Sequence, residues 1–334
     1  MSKSIHHATN KMEIIYFAYS VGIGLWFGLR WLLFDRFWLL AIINTSIFYF
    51  FVPTPFLLFF AIYQHKRIAA LSLILPTAIF LFFWGELFLP NLTSSPQGSA
   101  QELKAMSYNV LFSNPTPEAI AESINSASPD VIGFQELTPQ IKDSLDFSLS
   151  ETYPYNTFDV LGRQGVGLLS SYPILSVKQF PFPPNDQQAL HAVIEWQDQP
   201  IHVFVVHFSA NNFFDNPVSQ LPELARERYG HRAKQITQIE KQLGQIDAPI
   251  LLMCDCNFTD TSEAYFRLNK LLSDSFHSTG WGFGHTLHPT DFPIRVQRID
   301  FVWHSDDLIP ENSFVGLAGG SDHHPVISTF RFQQ

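Results

Sequence analysis

Charge is scarce in this chain. Only 15% of its 334 residues are Asp, Glu, Lys or Arg, against about a quarter in an ordinary soluble domain, so something other than a solvated surface accounts for part of the length. Cysteine is nearly absent. Cys254 and Cys256 are the only two; they exclude a fold stapled by several disulfides, and two residues apart in one apolar run they are too close for an ordinary bridge. Neither a G-x-G-x-x-G fingerprint nor a P-loop lysine occurs, which argues against a dinucleotide or nucleoside-triphosphate cradle. No G-x-S-x-G elbow points to a serine hydrolase, and no Cys/His spacing suits structural zinc. Positive charge is also short where it would matter for nucleic acid. Residues 101–334 hold 14 basic and 27 acidic residues, a balance of −13, the reverse of what broad attraction to a phosphate backbone requires.

The first 90 residues hold long apolar runs instead. Ile14 to Leu33 is interrupted only by Arg30, Phe37 to Tyr63 has no charge and contains Asn44, Pro53 and Pro55, and Ile68 to Leu89 carries only Glu86. About 20 apolar residues suffice to cross a bilayer core, so the pattern predicts about three transmembrane helices. Repetition over this length argues against a cleaved signal peptide. Lys3, Lys11, Lys66 and Arg67 fall on one side of such a layout, Arg30 and Arg36 on the other; the bias puts the amino terminus inside and the remainder outside the cytoplasm. A polar linker follows over residues 91–102, and then one large domain over 103–334.

That domain repeats one device: an apolar, β-rich run ending in a residue that a core would not accept without a purpose. The runs end or begin at Asn109, Glu136, His207, Asp255-x-Asn257, Asp300 and Asp322-His323. On a strand, Asp255 and Asn257 share one face. Each piece alone has a bland explanation: Asp-x-Asn can cap a turn, a histidine at a strand end can be structural, and Glu136 can be surface. The ordered set is harder to explain that way, and its hard oxygen donors suit Mg²⁺, with Mn²⁺ as the alternative. Glu223 to Leu243 predicts an amphipathic helix, with Ile236, Ile239 and Leu243 on its apolar stripe and its Arg and Lys on a solvated face. His324 is expected to be structural, and His285 and His288 are left without a role.

With SYNV around Asn109, GFQEL at Glu136, VVHFS at His207, CDCN at Asp255 and Asn257, RIDFV at Asp300 and GGSDHHPV at Asp322 and His323, the sequence resembles the endonuclease/exonuclease/phosphatase (DNase I-like) superfamily over about 103–332. The layout is similar to that of its membrane-anchored bacterial members. In CDCN, cysteines replace the family's usual Gly and Phe. The resemblance implies an α/β fold, a four-layer α/β sandwich of two packed mixed β-sheets flanked by helices. It also implies a metal-dependent phosphoric ester hydrolase. Glu136, Asn109 and Asp322 would hold Mg²⁺. His323 would be the general base or an electrostatic partner, Asp300 would orient it, Asp255 and Asn257 would position the nucleophile, and His207 would donate to the phosphate. The expected substrate is a phosphorylated lipid or small molecule near the membrane, for which Phe213 and Phe214 are candidate contacts. A membrane-tethered nuclease or nucleotide phosphatase is the competing enzyme, and a non-catalytic membrane binding protein the competing class. Protein partners are not legible.

Overall fold

The computed structural model describes residues 2–89, 101–159, 165–183, 188–211, 216–289 and 292–333, with side chains from residue 12 onward. The expected linker at 91–102 lies almost wholly outside the described residues, as do Phe213, Phe214 and the side chains of Lys3 and Lys11. The chain divides into two compact units. One comprises Met1–Glu86, Phe213–Tyr229 and Asp260–Glu263, the other Leu87–Asn212, Gly230–Thr259 and Ala264–Gln334.

The first unit is built on helices α1 (Ser2–Leu33), α2 (Trp38–Phe51), α3 (Pro53–Tyr63), α4 (Arg67–Ser72) and α5 (Ile74–Trp84). Two stretches, Met12–Arg36 and Arg67–Phe88, are long and apolar enough to cross a membrane. The expected middle span is broken: α2 and α3 meet at a 42° bend. Pro53 opens α3 directly after Val52, and a proline there lacks the N–H and clashes with the preceding turn. Among the described residues the count is therefore two continuous candidate spans, or three if the bent pair crosses as one. Phe56, Phe59, Ile62, Ile68, Leu71 and Phe82 are exposed. Polar groups find one another instead: Trp26 Nε1 donates to Asn44 Oδ1 (2.9 Å), Asn44 Nδ2 to Asp35 Oδ1 (2.7 Å), and Arg30 Nε to the Thr261 carbonyl (2.7 Å). Buried within the protein, these polar side chains need such partners.

In the second unit the chain runs β1 (Leu103–Asn109), α6 (Pro117–Ala127), β2 (Val131–Leu137), α7 (Pro139–Leu149), β3 (Tyr155–Asp159), β4 (Gly165–Ser170), β5 (Ile174–Pro181), β6 (Gln188–Trp196) and β7 (Gln199–His207). It continues with α8 (Leu221–Leu243), whose first part belongs to the other unit, then β8 (Ile250–Asp255), α9 (Glu263–Leu268), β9 (Ser273–Asp274), α10 (Ser275–Thr279), β10 (Asp300–His304), β11 (Leu308–Val315) and β12 (Val326–Phe332). Two six-stranded sheets form, ordered β11-β12-β1-β2-β4-β3 and β5-β6-β7-β8-β10-β9. Both are mixed, since β1/β2 and β7/β8 are parallel and the remaining pairs antiparallel.

Period-two alternation assigns the layers. Ile201, Val203 and Val205 of β7, Leu251 and Met253 of β8, Val302 of β10, and Leu103 and Ala105 of β1 share a core between the sheets. The opposite residues serve two outer cores. Phe204, Leu252, Cys254, Phe301 and Trp303 pack with Ile236, Ile239 and Leu243 of α8, and Met106, Tyr108, Ile132 and Phe134 pack with α6 and α7. Helix, sheet, sheet, helix is the four-layer α/β sandwich. The sheets approach so closely at Gly133 that an added Cβ would stand 3.0 Å from both Met253 Cβ and Val205 Cγ2. Glycine is the residue that fits.

Candidate active site

Inner-face parity carries on past the core. His207, Asp255 and Asp300 are the next inner-face positions of β7, β8 and β10, and Asn109 follows Ser107 on the inner face of β1, all at the strand ends where the apolar filling stops. Register then brings them side by side, because His207 pairs with Asp255 across β7/β8 and Asp255 with Asp300 across β8/β10. Glu136 has the wrong parity for this face. A register shift between Gln135 and Leu137, with Glu136 at φ +59°, turns it in. That is the use of a β-bulge at a site: one extra residue re-aims one side chain.

Asp255 is the hub. Its Oδ2 accepts from Asn109 Nδ2 (2.9 Å), Asn257 Nδ2 (3.0 Å) and His207 Nε2 (3.2 Å), and lies 3.9 Å from His323 Nε2. Asn109 Nδ2 also donates to Glu136 Oε1 (3.1 Å), whose Oε2 accepts from the Phe112 N–H (3.1 Å). His323 Nδ1 donates to Asp300 Oδ2 (2.8 Å). Asn109, His207, Asp255, Asn257, Asp300 and His323 are buried, and Glu136 is half-buried. Asp322 lies next in chain. Its Oδ1 is buried with no partner among the described residues, and it falls outside the two tight groups, Glu136–His207–Asp255 and Asp255–Asp300–His323.

The charges follow from this geometry. Burial alone would depress the His323 imidazolium, but Asp300 and Asp255 outweigh it and hold its pKa well above the usual histidine value. Burial opposes His207 too, and the bond to Asp255, with the charges of Asp255 and Glu136, raises it. Asp255 moves the other way: burial pushes it up, and the two histidines pull it below the carboxylate range. Asp300 is pushed up to about 6, by burial first and by Asp255's charge, against the pull of His323. Burial likewise raises Asp322.

The structure brings Asn109, Glu136, His207, Asp255, Asn257, Asp300 and His323 together. It changes how two of them arrive. Strand β8 ends at Asp255, and Asn257 sits beyond it at φ +51°, so the pair meet through a turn and not along one strand face. Cys254 and Cys256 are bonded to each other, contrary to the expectation of no bridge. The turn draws their Cα atoms to 5.1 Å, within ordinary disulfide reach, where an extended strand would hold them farther apart. His324 bonds through Nδ1 to the Gly316 carbonyl, a structural contact.

Two supporting residues escaped sequence reasoning. Arg232 of α8 is not on a solvated face. It is 2% exposed and its Nη1 donates to the carbonyls of Ser209 (3.1 Å) and Asn257 (2.7 Å) and to Asn211 Oδ1 (2.6 Å). Its place four residues before Ile236, on the apolar stripe, was the available signal. Thr286 Oγ1 accepts from the N–H groups of Ile299 and Asp300, both at 3.2 Å; no motif marked it.

Three carboxylates, two amides and two histidines converge at the end of a two-sheet sandwich, a donor set of the kind that serves metal-assisted hydrolysis. The donor set fits a hard divalent cation. Oxygen predominates, and the buried, unpartnered Oδ1 atoms of Asp300 and Asp322 are acceptors in want of a positive partner. The family model of the endonuclease/exonuclease/phosphatase family matches residues 106–323, and the chain belongs to that family. Among solved structures, an endonuclease/exonuclease/phosphatase from Bacteroides vulgatus aligns with TM-score 0.58 and 15% identity, over 70% of this chain and all of that one. D. rerio TDP2 complexed with single strand DNA product aligns with TM-score 0.56 and 18% identity, over 69% and 99%. The human Nocturnin catalytic domain with bound sulfate anion aligns with TM-score 0.53 and 16% identity, over 70% and 95%. At these identities the likeness speaks to fold. No curated protein matches the chain.

Proposed function

We propose that the chain is a membrane-anchored, Mg²⁺-dependent phosphoesterase, hydrolysing a phosphate ester or pyrophosphate of a lipid-linked or other membrane-proximal compound by in-line attack of water. The observation that carries this reading is the hub at Asp255, which joins both His/carboxylate groups in a family whose members hydrolyse phosphoesters. His323 Nε2 takes the proton of the attacking water while Asp300 fixes the ring through Nδ1, as a carboxylate does for a catalytic imidazole. The water oxygen bonds to phosphorus as the ester oxygen leaves. Asp255 and Asn257 orient the nucleophile, and His207 donates to the phosphoryl oxygens. Mg²⁺ held by Glu136 with Asn109 and Asp322 would neutralise a phosphate oxygen, steady the leaving oxygen and, by its charge, draw His323 back toward the neutral form that accepts a proton.

Two apolar stretches fit to cross a bilayer support the membrane assignment, and with the bent α2–α3 pair crossing as a third span the flanking positive charges favour an outward catalytic domain. The balance of −13 over residues 101–334 disfavours a nuclease. The test is a panel assay of the full-length protein with Mg²⁺ on phospholipids, sphingomyelin, polyprenyl pyrophosphate, nucleotides and DNA. Hydrolysis of a lipid-linked phosphate supports the reading, salt-sensitive cleavage of DNA replaces it with a tethered nuclease, and inactivity on every phosphate replaces it with a binding protein. A reporter fused after residue 334 fixes the side of the membrane.

A further inference from the structure

Aromatic and aliphatic side chains crowd the segment after α10. Trp281 is 75% exposed, Ile294 61% and Leu317 62%, with Phe283, Phe292 and Phe314 also exposed. They are not scattered: Trp281, Phe283, Ile294, Phe314 and Leu317 line one groove of about 1130 Å³. Scattered exposed apolar residues are normal, whereas a contiguous patch marks a surface meant to be covered.

The same unit indicates what covers it. The Gly282 N–H donates to the Leu87 carbonyl (2.8 Å), and the Phe88 ring meets Phe283 edge-on at 4.8 Å and Trp281 at 6.4 Å. Leu87 and Phe88 close the Arg67–Phe88 stretch, one of the two fit to cross a membrane. The turn is therefore fastened to the residues at which that stretch ends, where a bilayer gives way to headgroups. Its shape is built in. Gly282 and Gly284 take φ of +81° and +60°, and a Cβ at Gly284 would run into the Phe276 ring.

We infer that the Trp281–Phe283 turn and Ile294 form a membrane-interface contact, lying in the headgroup layer of the bilayer that Arg67–Phe88 enters. Tryptophan at a span's end favours that layer, with an apolar body and one N–H for the headgroups, and Arg295 suits anionic lipid. The inference rests on the membrane-anchored reading above. It places the groove open to lipid, so a substrate embedded in the same leaflet reaches the unit without leaving it.

Depth measurement tests this without reference to catalysis. Full-length Trp281→Cys and Ile294→Cys, each spin-labelled in phosphatidylglycerol-containing nanodiscs, should show raised O₂ over nickel-chelate collision relative to a label at Phe147→Cys, a residue exposed on α7. Equal, aqueous behaviour at 281, 294 and 147 in protein that co-purifies with the disc overturns the inference while leaving the anchored reading intact. Failure of the chain to associate with lipid at all overturns the anchored reading itself. Should one labelled variant misfold, the other carries the measurement. In wild type, Trp281 emission quenched by brominated lipid, read as the difference from Trp281→Phe, gives the same answer with no label.

Discussion

His323 Nδ1 lies 2.8 Å from Asp300 Oδ2, and the ring's other nitrogen stands 3.9 Å from Asp255 Oδ2. One imidazole is thus held from behind by one carboxylate and faces the hub with its working atom. Antiparallel register makes the arrangement, since Asp300 and Asp255 are directly paired. His323→Ala should lower kcat for phosphoester hydrolysis by about 10²–10⁴-fold, the usual contribution of a positioned proton acceptor. Asp300→Asn should lower kcat less and shift the pH–rate profile, because it removes the orienting charge and leaves the ring. Steady-state rates with circular dichroism on both variants check this; near-wild-type kcat in His323→Ala would remove its role.

Arg232 ties three groups around Asn257 from beneath α8. Arg232→Met keeps the packing and deletes the donors, stranding buried acceptors at about 1–3 kcal/mol. A lower melting temperature with a drop in kcat is expected. Unchanged thermal unfolding would show that the three acceptors find other donors.

Gly133 has no room for a side chain where the sheets meet. Gly133→Ala should cost about 1–3 kcal/mol through overpacking, and Gly133→Ala with Met253→Ala should recover part of that loss, since Met253 is the nearest obstacle. Denaturant melts of the single and double variants decide it.

Asp274 is buried against Arg298 and accepts from Tyr265 Oη and from the N–H groups of Phe276 and His277. Burial would push its pKa up, but the Arg298 charge and these bonds hold it below the usual carboxylate value. A carboxylate depressed in the folded state contributes stability that is full above its unfolded pKa of about 3.9, and that contribution is lost as pH falls through the lower folded pKa. Asp274→Ala should therefore destabilise by about 3–5 kcal/mol at neutral pH, since it removes the carboxylate facing a buried cation, and should flatten the stability loss on acidification below pH 4. A variant whose acid limb matches wild type would contradict the assignment.

Much of this was open to reading in the chain itself, for identifiable reasons. Asn109, His207 and Asp255 close apolar strands and Asp300 opens one, each at the right parity, so alternation alone aims them at the space between sheets. Glu136 was found for its position after GFQ, yet what turns it inward is a bulge, and period two cannot foresee a residue inserted into a ladder. The disulfide between Cys254 and Cys256 runs against the expectation that cysteines two residues apart are too close to bridge; the chain turns after Asp255 and sets their Cα atoms 5.1 Å apart, a turn that the apolar run does not announce. Arg232 was misjudged by residue type although its spacing to Ile236 put it on the buried stripe. Thr286 comes from a loop whose approach to β10 no local pattern encodes. In the first unit, Pro53 within an uncharged run was the visible cause of the bend between α2 and α3.

The whole account depends on Glu136, re-aimed by its bulge, holding a divalent cation beside Asp255 and His323. Mn²⁺ binding to the full-length protein, followed by electron paramagnetic resonance of the free ion alongside phosphoester hydrolysis, measures this directly. Wild type should bind the ion and hydrolyse, with activity silenced by EDTA and restored by Mg²⁺, while Glu136→Gln should lose binding and turnover together. Equal Mn²⁺ uptake and equal hydrolysis in Glu136→Gln would contradict it.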